Sequence, residues 1–533
     1  MRTKLIGVMV CTLMILATTL SVAGNIGNER IKIVNSENVF SEVTPPEVWN
    51  KTYGGDYYDG GFSVQETGDG GYIFCGNTIP SGESYSDVYL VKTDADGNVE
   101  WENNYGGSDA EYGYSVQETS DEGFIVAGSI DYYDSDDGDV YLLKTNAVGD
   151  FIWSAIHGGG ELDEAFSVQQ TSDGGYIVVG FTDSDTTSRD IYLIKTDSIG
   201  KDTWIKTFGG SGSNIGYCVK QTSDFGYIIA GSTDSTGSNS DVWLIKTDDD
   251  GTEEWNRKYG GSDYDSASSV QETSDYGYII TGKTLSYGAG SQDVWLIKTN
   301  PLGIKDWDVT FGGTGSDIGE EVQETSDGGF IVAGHTTSFG AGSEDVYLIK
   351  TDSSGTSLWS KTIGGAEIDR GHSVYQTSGD DYIVAGETLS YGSTSSYDAW
   401  LIKVRWGNNP PNKPAKPDGP TEVPLGRRRD YRASAVDPDG DQVYLMFDWG
   451  DGQFSDWLGP VSSGEEVEDD HWWVNKGSYL VKTKAKDVLG EESVWSDPLV
   501  VTMPKDKVIN TLLVNWLEKH PNLFPFLRSL LGL

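Results

Sequence analysis

The sequence predicts an all-β protein whose main body repeats one four-stranded unit seven times. Three observations carry this. Trp stands at 49, 101, 153, 204, 255, 307 and 359, at spacings of 52, 52, 51, 51, 52 and 52 residues. A Gly-Gly pair follows each Trp, at 54–55, 106–107, 158–159, 209–210, 260–261, 312–313 and 364–365, and lysines 92, 144, 195, 246, 298, 350 and 403 close a third motif. The composition agrees, since 69 glycines and 12% aromatic residues suit short strands joined by tight turns.

One unit reads as four strands. Residues 63–67, Ser-Val-Gln-Glu-Thr, are a short extended segment, and Asp69-Gly70-Gly71 is a turn. Residues 72–76 form a second strand, a polar Gly/Ser loop follows, and 87–92 form a third. Residues 94–97 turn the chain into a fourth strand, 99–105, that contains Trp101. In Val88-Tyr89-Leu90-Val91 both alternating faces are apolar, so this strand is expected to be covered on both sides. The first segment is more polar, as an inner strand beside a wet channel would be. Four strands in about 50 residues is the size of a propeller blade.

The ends of the array are offset. It opens with a fourth strand around Trp49 and stops with a third strand, 398–404. Pairing these two completes a seventh blade and removes open edges that invite aggregation. An open solenoid of stacked repeats is the alternative, and it needs no such offset. The succession Tyr-Ile-Val-Ala-Gly, Asp-Val-Tyr-Leu-Ile-Lys-Thr-Asp, a turn Gly and a Trp resembles the blades of kelch and quinoprotein propellers. It is most similar to the repeat propellers of secreted bacterial and archaeal surface proteins. The resemblance spans 49–406 and implies a seven-bladed β-propeller, but no activity.

Further regions flank the array. Arg2 and Lys4, the apolar run 5–20 and Ser21-Val22-Ala23 read as a secretory signal peptide over 1–23. A retained anchor is the alternative, although the run is short for a membrane span. Residues 24–48 lead into the repeats. Residues 407–417 form a stiff linker containing Asn408-Asn409-Pro410-Pro411-Asn412-Lys413-Pro414. In 418–503 the alternation of Tyr479, Val481 and Thr483 predicts a β-sandwich. Phe447-Asp448-Trp449-Gly450-Asp451-Gly452, followed by Gly477-Ser478-Tyr479 and Ala485-Lys486-Asp487, resembles a PKD domain. That is an immunoglobulin-like module of cell-surface proteins, and the resemblance implies a spacer or interaction role. His471-Trp472-Trp473 departs from the His, small residue and Tyr usual in that family. Residues 504–533 are an apolar, basic tail that Pro521 and Pro525 split into two short helices. It suits a membrane-surface contact, a sorting signal, or packing on the sandwich.

The net charge of −46 repels phosphates, so no nucleic acid partner is expected. It favours metal cations and basic partners. Cys75 and Cys218, the two cysteines beyond the leader, stand three repeats apart, so no disulfide is expected and the fold must rest on its core. The chain is expected to be a monomer.

Candidate chemistry concentrates in acids. An acidic residue follows each Gly-Gly pair by four positions: Asp59, Glu111, Asp163, Asp265, Asp317 and Asp369, with Asn214 in the fourth copy. A second set opens each third strand: Asp87, Asp139, Asp190, Asp241, Asp293, Asp345 and Asp398. In a propeller both sets lie on one face. They are read either as turn caps that accept backbone N–H groups or as a rim that chelates Ca²⁺, a hard cation that favours oxygen ligands. Asp437, Asp439 and Asp441 offer a similar choice between polar turn and calcium ligand. Tyr57, Tyr58, Tyr132, Tyr133, Tyr287, Phe339 and Tyr391 fall in loops and suit sugar or peptide platforms, or packing against a neighbouring blade. Histidines 157, 335, 372, 471 and 520 follow no repeat and no metal spacing. No nucleophile elbow, phosphate loop or dinucleotide fingerprint stands where it would work, so no catalytic residue and no organic cofactor is assigned.

The expectation is a secreted or surface-attached, non-catalytic binding protein for an extracellular glycan, envelope polymer or protein. The alternative is a secreted hydrolase or lyase acting on polysaccharide or peptide. Near-identity of the units favours the first, because a catalytic site normally breaks symmetry in one or two blades. Repeats three and four depart most in the loops at 160–162 and 211–215, so an active site is expected there if one exists.

Overall fold

The computed structural model describes residues 47–131, 137–184, 188–234, 239–392, 396–405, 410–438, 441–488, 490–503, 515–516 and 519–520. The segment 1–23 read as a signal peptide, Tyr132, Tyr133, Asn408, Asn409, Asp439 and most of the apolar tail lie outside them. Among the described residues no helix is long and apolar enough to cross a membrane.

Residues 47–404 form seven four-stranded antiparallel sheets. The first contains Asp59–Glu66, Tyr72–Thr78, Asp87–Thr93 and Val99–Tyr105 in chain order, and five more copy it. The seventh contains Asp369–Gln376, Tyr382–Thr388 and Asp398–Val404, and takes its fourth strand from Glu47–Tyr53. Trp49 stands opposite Lys403 in that pairing, and Trp400 Nε1 donates to Asn50 Oδ1 at 3.2 Å.

Burial follows the side-chain pattern. Every residue of Tyr72–Thr78 and Asp87–Thr93 is buried, whereas the outer strand Val99–Tyr105 is partly exposed throughout. Middle strands are apolar on both faces because each sheet is covered by two neighbours. Seven apolar clusters result, one at each junction. The cluster of Tyr72, Phe74, Ile383 and Leu401 joins the seventh sheet to the first. Each aliphatic side chain removed from water there contributes about 1.5–3 kcal/mol. The repeat Trp completes a junction by resting on the aromatic that opens the next sheet's second strand, as in Trp49–Tyr72 (6.1 Å) and Trp101–Phe124 (5.7 Å).

The lysine motif anchors one end of each sheet. Lys350 is fully buried, and its Nζ lies 3.0 Å from Asp327 and donates to Thr351 O at 2.9 Å. Thr325 Oγ1 donates to the same Asp327 at 2.6 Å. The adjoining glycine is required, because a Cβ on Gly329 would sit 2.1 Å from Thr351 O. In the equivalent Asp69, Asp173 and Asp275, burial opposes ionisation, but hydrogen bonds from the Thr hydroxyl, the Gly N–H and the Lys ammonium outweigh it and hold the carboxyls at about 2.

The C-terminal part is a separate sandwich. One sheet orders Leu458–Val461, Val443–Asp448, Ser478–Asp487 and Leu499–Thr502, and Arg429–Ser434 pairs with Glu466–His471. Its core holds Tyr431, Leu445, Phe447, Trp449, Trp473 and Val501. Trp449 stacks on His471 at 4.7 Å, and His471 Nε2 meets Asp451 Oδ2 at 3.0 Å. The Asp-Trp-Gly-Asp-Gly turn therefore caps this core. At the His-Trp-Trp departure Trp473 is buried and donates to Trp449 O, whereas Trp472 stays exposed under Arg428. Asp437 Oδ1 accepts the Asp441 N–H at 3.2 Å, as a turn cap does.

Candidate functional site

Each repeat opens with a leading strand that slips register once against its neighbour. The slips fall between Gly61/Ser63, Gly113/Ser115, Ala165/Ser167, Gly216/Cys218, Ala267/Ser269, Gly319/Glu321 and Gly371/Ser373. Such a bulge frees one residue from the ladder and re-aims its side chain. The freed residues are Phe62, Tyr114, Phe166, Tyr217, Ser268, Glu320 and His372. The glycine ending Tyr-Ile-Val-Ala-Gly makes the bulge possible, since a Cβ on Gly334 would lie 1.8 Å from Ile318 O and one on Gly386 1.9 Å from Arg370 O.

All seven freed residues line one cavity of about 430 Å³. Each leading strand touches the next, and the seventh touches the first, so all seven contribute to the wall. The Ser-Val-Gln-Glu-Thr motif stitches them together. Ser63 Oγ accepts from Val116 N and Gln65 Oε1 from Glu118 N, and the Ser–Val stitch at Ser373 returns to Val64 N at 3.1 Å. Two replaced stitches bring in charge, Lys220 for Gln in repeat four and Glu321 for Ser in repeat six, and two do not, Cys218 for Ser in repeat four and Tyr375 for Gln in repeat seven.

The bulge column varies in chemistry from repeat to repeat. His372, Phe62, Tyr114, Phe166 and Tyr217 form an unbroken arc of rings with neighbouring centroids 5.0–5.8 Å apart. Ser268 and Glu320 fill the remaining positions. Behind Glu320 and His372 lies a titratable cluster. His335 Nδ1 is 3.9 Å from Glu320, His372 Nε2 is 3.9 Å from Glu387, and the two imidazoles are 6.4 Å apart. Arg370 pairs with Glu344 and, at 3.1 Å, with Glu387, which also accepts from Tyr58 Oη at 2.9 Å. Burial works against the Glu387 carboxylate, yet His372, Tyr58 and Arg370 together hold it at about 2. Burial lowers His335, with Glu320 opposing. Burial raises Glu321, which accepts from Ser373 Oγ and from Val374 N at 2.9 Å, while Lys220 opposes.

The acids singled out in the sequence lie elsewhere, at the sheet junctions. In six repeats the N–H of the leading-strand residue donates to the carbonyl just before the preceding third strand, as Asp59 N does to Tyr397 O and Asp317 N to Gln292 O. This sets Asp59 beside Asp398, Glu111 beside Asp87, Asp163 beside Asp139, Asn214 beside Asp190, Asp265 beside Asp241, Asp317 beside Asp293 and Asp369 beside Asp345. The leading-strand acids accept the second glycine N–H of their Gly-Gly pair: Gly55 to Asp59 at 2.7 Å, Gly159 to Asp163 at 2.8 Å, Gly261 to Asp265 at 2.9 Å, Gly313 to Asp317 at 2.8 Å and Gly365 to Asp369 at 2.7 Å. Asp293 Oδ2 accepts Ala289 N and Asp345 Oδ2 accepts Gly342 N, both at 3.0 Å. Paired oxygens meet under the first glycine: the place for a Gly312 Cβ is 2.2 Å from Asp293 Oδ1 and 2.6 Å from Asp317 Oδ2. Burial, then neighbouring acids, push Asp87 up to about 6 and Glu111 up to about 7. In the fourth copy Asn214 Nδ2 donates to Asp190 Oδ1 at 3.1 Å. Among the described residues no group of three or more His, Cys, Asp or Glu side chains is arranged to hold a metal ion.

Of the loop aromatics, Tyr287, Phe339 and Tyr391 lean on Trp295, Tyr347 and Trp400 of their own sheets and remain partly exposed. Tyr57 is exposed, whereas Tyr58 belongs to the Glu387 cluster. The cavity departs from repeat symmetry at repeats five to seven as well as at Lys220. The loops 160–162 and 211–215 do not line it. Sequence reading named His335 and His372 only as histidines with no repeat or metal spacing, and missed Glu320, Arg370 and Glu387. The available signal was the column Phe62, Tyr114, Phe166, Tyr217, Ser268, Glu320, His372, which varies where its neighbours repeat.

No protein-family model and no curated protein matches the chain. Among solved structures it is similar to the PKD domain of an M14-like peptidase from Thermoplasmatales archaeon SCGC AB-540-F20, at 46% identity over 19% of this chain and 100% of that one, with a TM-score of 0.18. It is also similar to a protein described as the extracellular domain of a one-component system of B. thetaiotaomicron, at 11% identity over 88% of this chain and 60% of that one, TM-score 0.37. A bifunctional GH43-CE protein from Bacteroides eggerthii gives 10% identity over 83% of this chain and 64% of that one, TM-score 0.27. The chain thus spans less than two thirds of the length of the last two.

Proposed function

We propose that this is a non-catalytic extracellular binding protein in which the seven sheets are blades of a closed β-propeller. The ligand, a glycan, envelope polymer or protein, docks at the cavity lined by the bulge residues. The observation that carries this reading is the bulge column. Seven repeated strands present one re-aimed residue each to a shared cavity, and that residue changes chemistry from blade to blade while the residues on either side of it largely repeat. The contact of the first and seventh sheets supports closure of the ring. The basic-then-apolar leader supports export, and the Asp-Trp-Gly-Asp-Gly turn supports a PKD-like module that spaces the propeller from its surroundings.

A second reading, a hydrolase or lyase, draws on the cluster of Tyr58, Arg370, His372 and Glu387. We prefer binding because Glu387 is held as a carboxylate by three partners and is a poor proton donor at neutral pH. The test immobilises the full chain and Phe166→Ala against an envelope extract, with calcium and with chelator. The expected result is one species retained in stoichiometric amount by the native chain and lost in Phe166→Ala. Equal retention by both, or none, overturns the reading. Loss in chelator assigns calcium to the junction acids.

A further inference from the structure

We infer that the gap in the bulge ring, between Tyr217 and Glu320, takes a cationic side chain, the ammonium or guanidinium of a basic polypeptide partner. This rests on the binding reading above and names its ligand.

Three observations lead there. First, Glu320 is a carboxylate without a partner of its own. Among the described residues it accepts no hydrogen bond, and His335 Nδ1 lies 3.9 Å away, beyond hydrogen-bond reach. The other acids of the region are engaged: Glu321 by Ser373 and Val374, Glu344 by Arg370, and Glu387 by Tyr58 and Arg370. Burial lowers the His335 pKa, with Glu320 and Glu344 opposing, and at 3.9 Å its ring leaves the Glu320 carboxylate without a hydrogen-bonded partner. An unpaired carboxylate in a partly desolvated cavity is costly, and a cation relieves that cost where a neutral hydroxyl does so only weakly.

Second, there is room. Ser268 stands between Tyr217 and Glu320 in the column, where repeats one and three carry Phe62 and Phe166. The small side chain breaks the wall of rings beside the unpaired acid.

Third, the surroundings suit a cation. Tyr217 ends the aromatic arc on the far side of the gap, and the charge of Glu320 reaches its phenol. An aromatic ring opposite a carboxylate is the arrangement that holds organic cations. The cavity's own ammonium, Lys220, acts on Glu321. The net charge of −46 draws basic partners from a distance, with a rate that falls as salt rises.

The experiment is calorimetry near neutral pH on the full chain, with acetyl-Gly-Lys-Gly-amide, its arginine counterpart, its norleucine counterpart and glucosamine as probes. One positive charge per probe keeps the general field from dominating. The Lys and Arg peptides bind and the norleucine peptide does not. Glu320→Gln weakens binding about tenfold or more. Ser268→Phe, the residue of repeats one and three, abolishes it. Asp96→Asn, which removes one charge from an exposed turn, leaves it unchanged, and unaltered melting temperatures establish that the variants fold. No binding to the native chain, or equal binding to Glu320→Gln, overturns the inference. Glucosamine binding that depends on Glu320 without peptide binding overturns the polypeptide assignment in favour of an amino sugar. If the envelope species is lost in Phe166→Ala but kept by Glu320→Gln, the ligand class fails while the binding reading stands.

Discussion

The two ends of every sheet are built on opposite electrostatic principles. At one end a buried lysine meets an aspartate, as Lys350 meets Asp327, and the carboxyls there are held low. At the other end two acids face each other under a Gly-Gly turn, and Asp87 and Glu111 are pushed up to about 6 and about 7 by burial and neighbouring acids. The ion-pair end keeps Asp and Lys in six copies, and in the seventh, where Gly379 stands at the Asp position, Lys403 finds Asp381 two residues on at 3.5 Å. The acid end accepts Asp, Glu or Asn at its leading position. A buried ammonium cannot lose its counter-ion without leaving a bare charge, so that pair is fixed. Two carboxyls need only a hydrogen between them, and Asn214 supplies one from its amide.

The largest effect expected from breaking this contrast is at the ion-pair end. Asp327→Ala leaves the Lys350 ammonium buried beside Thr351 O without its carboxylate and is expected to cost about 2–3 kcal/mol in denaturant unfolding at neutral pH. The acid end responds the other way. Glu111→Gln, which copies the Asn214 arrangement, is expected to stabilise by about 1 kcal/mol at neutral pH and to lose that advantage near pH 4, where the native carboxyl is already protonated. Asn214→Asp is the reciprocal change, destabilising at neutral pH and recovering in mild acid.

The native pH profile sharpens the comparison with the smallest change per group. Asp69, Asp173 and Asp275 have depressed values, so their contribution is present above about pH 4 and is lost as pH falls toward about 2. Asp87 and Glu111 have raised values, so theirs is present below about pH 4 and is lost as pH rises through about 6 and 7. The melting temperature is therefore expected to peak between about pH 4 and 5. A maximum near pH 8 would contradict the assignment of the acid pairs.

What was legible in the sequence divides along similar lines. Strands, turns and the offset of the array's ends were readable because each unit states them again, and a pattern such as Val88-Tyr89-Leu90-Val91 has one physical reading. The PKD-like turn was readable because its residues are contiguous. The cavity was not. A bulge leaves no mark within one unit beyond a glycine on the neighbouring strand, and the residue it re-aims is free to vary because packing does not constrain it. Thus Phe62, Glu320 and His372 look unrelated until the leading strands are set side by side. His335 and His372 fall at different repeat positions and meet only through that geometry. The acids Asp59 to Asp398 were noticed because they recur, and recurrence marks parts that every junction needs.

The strand Glu47–Tyr53 has a consequence for how the molecule is made. Its partner is Asp398–Val404, and the bond from Trp400 to Asn50 spans 350 positions of chain. During synthesis the first repeat segment to emerge is the last to find its place, so six sheets assemble while one strand waits with its edge open. Such a non-local pairing slows folding and exposes the chain to neighbours of its own kind. The lag between emergence and closure is a window in which a second nascent chain can donate the missing strand, and the exposed and polar faces of Glu47–Tyr53 limit how well that substitution succeeds.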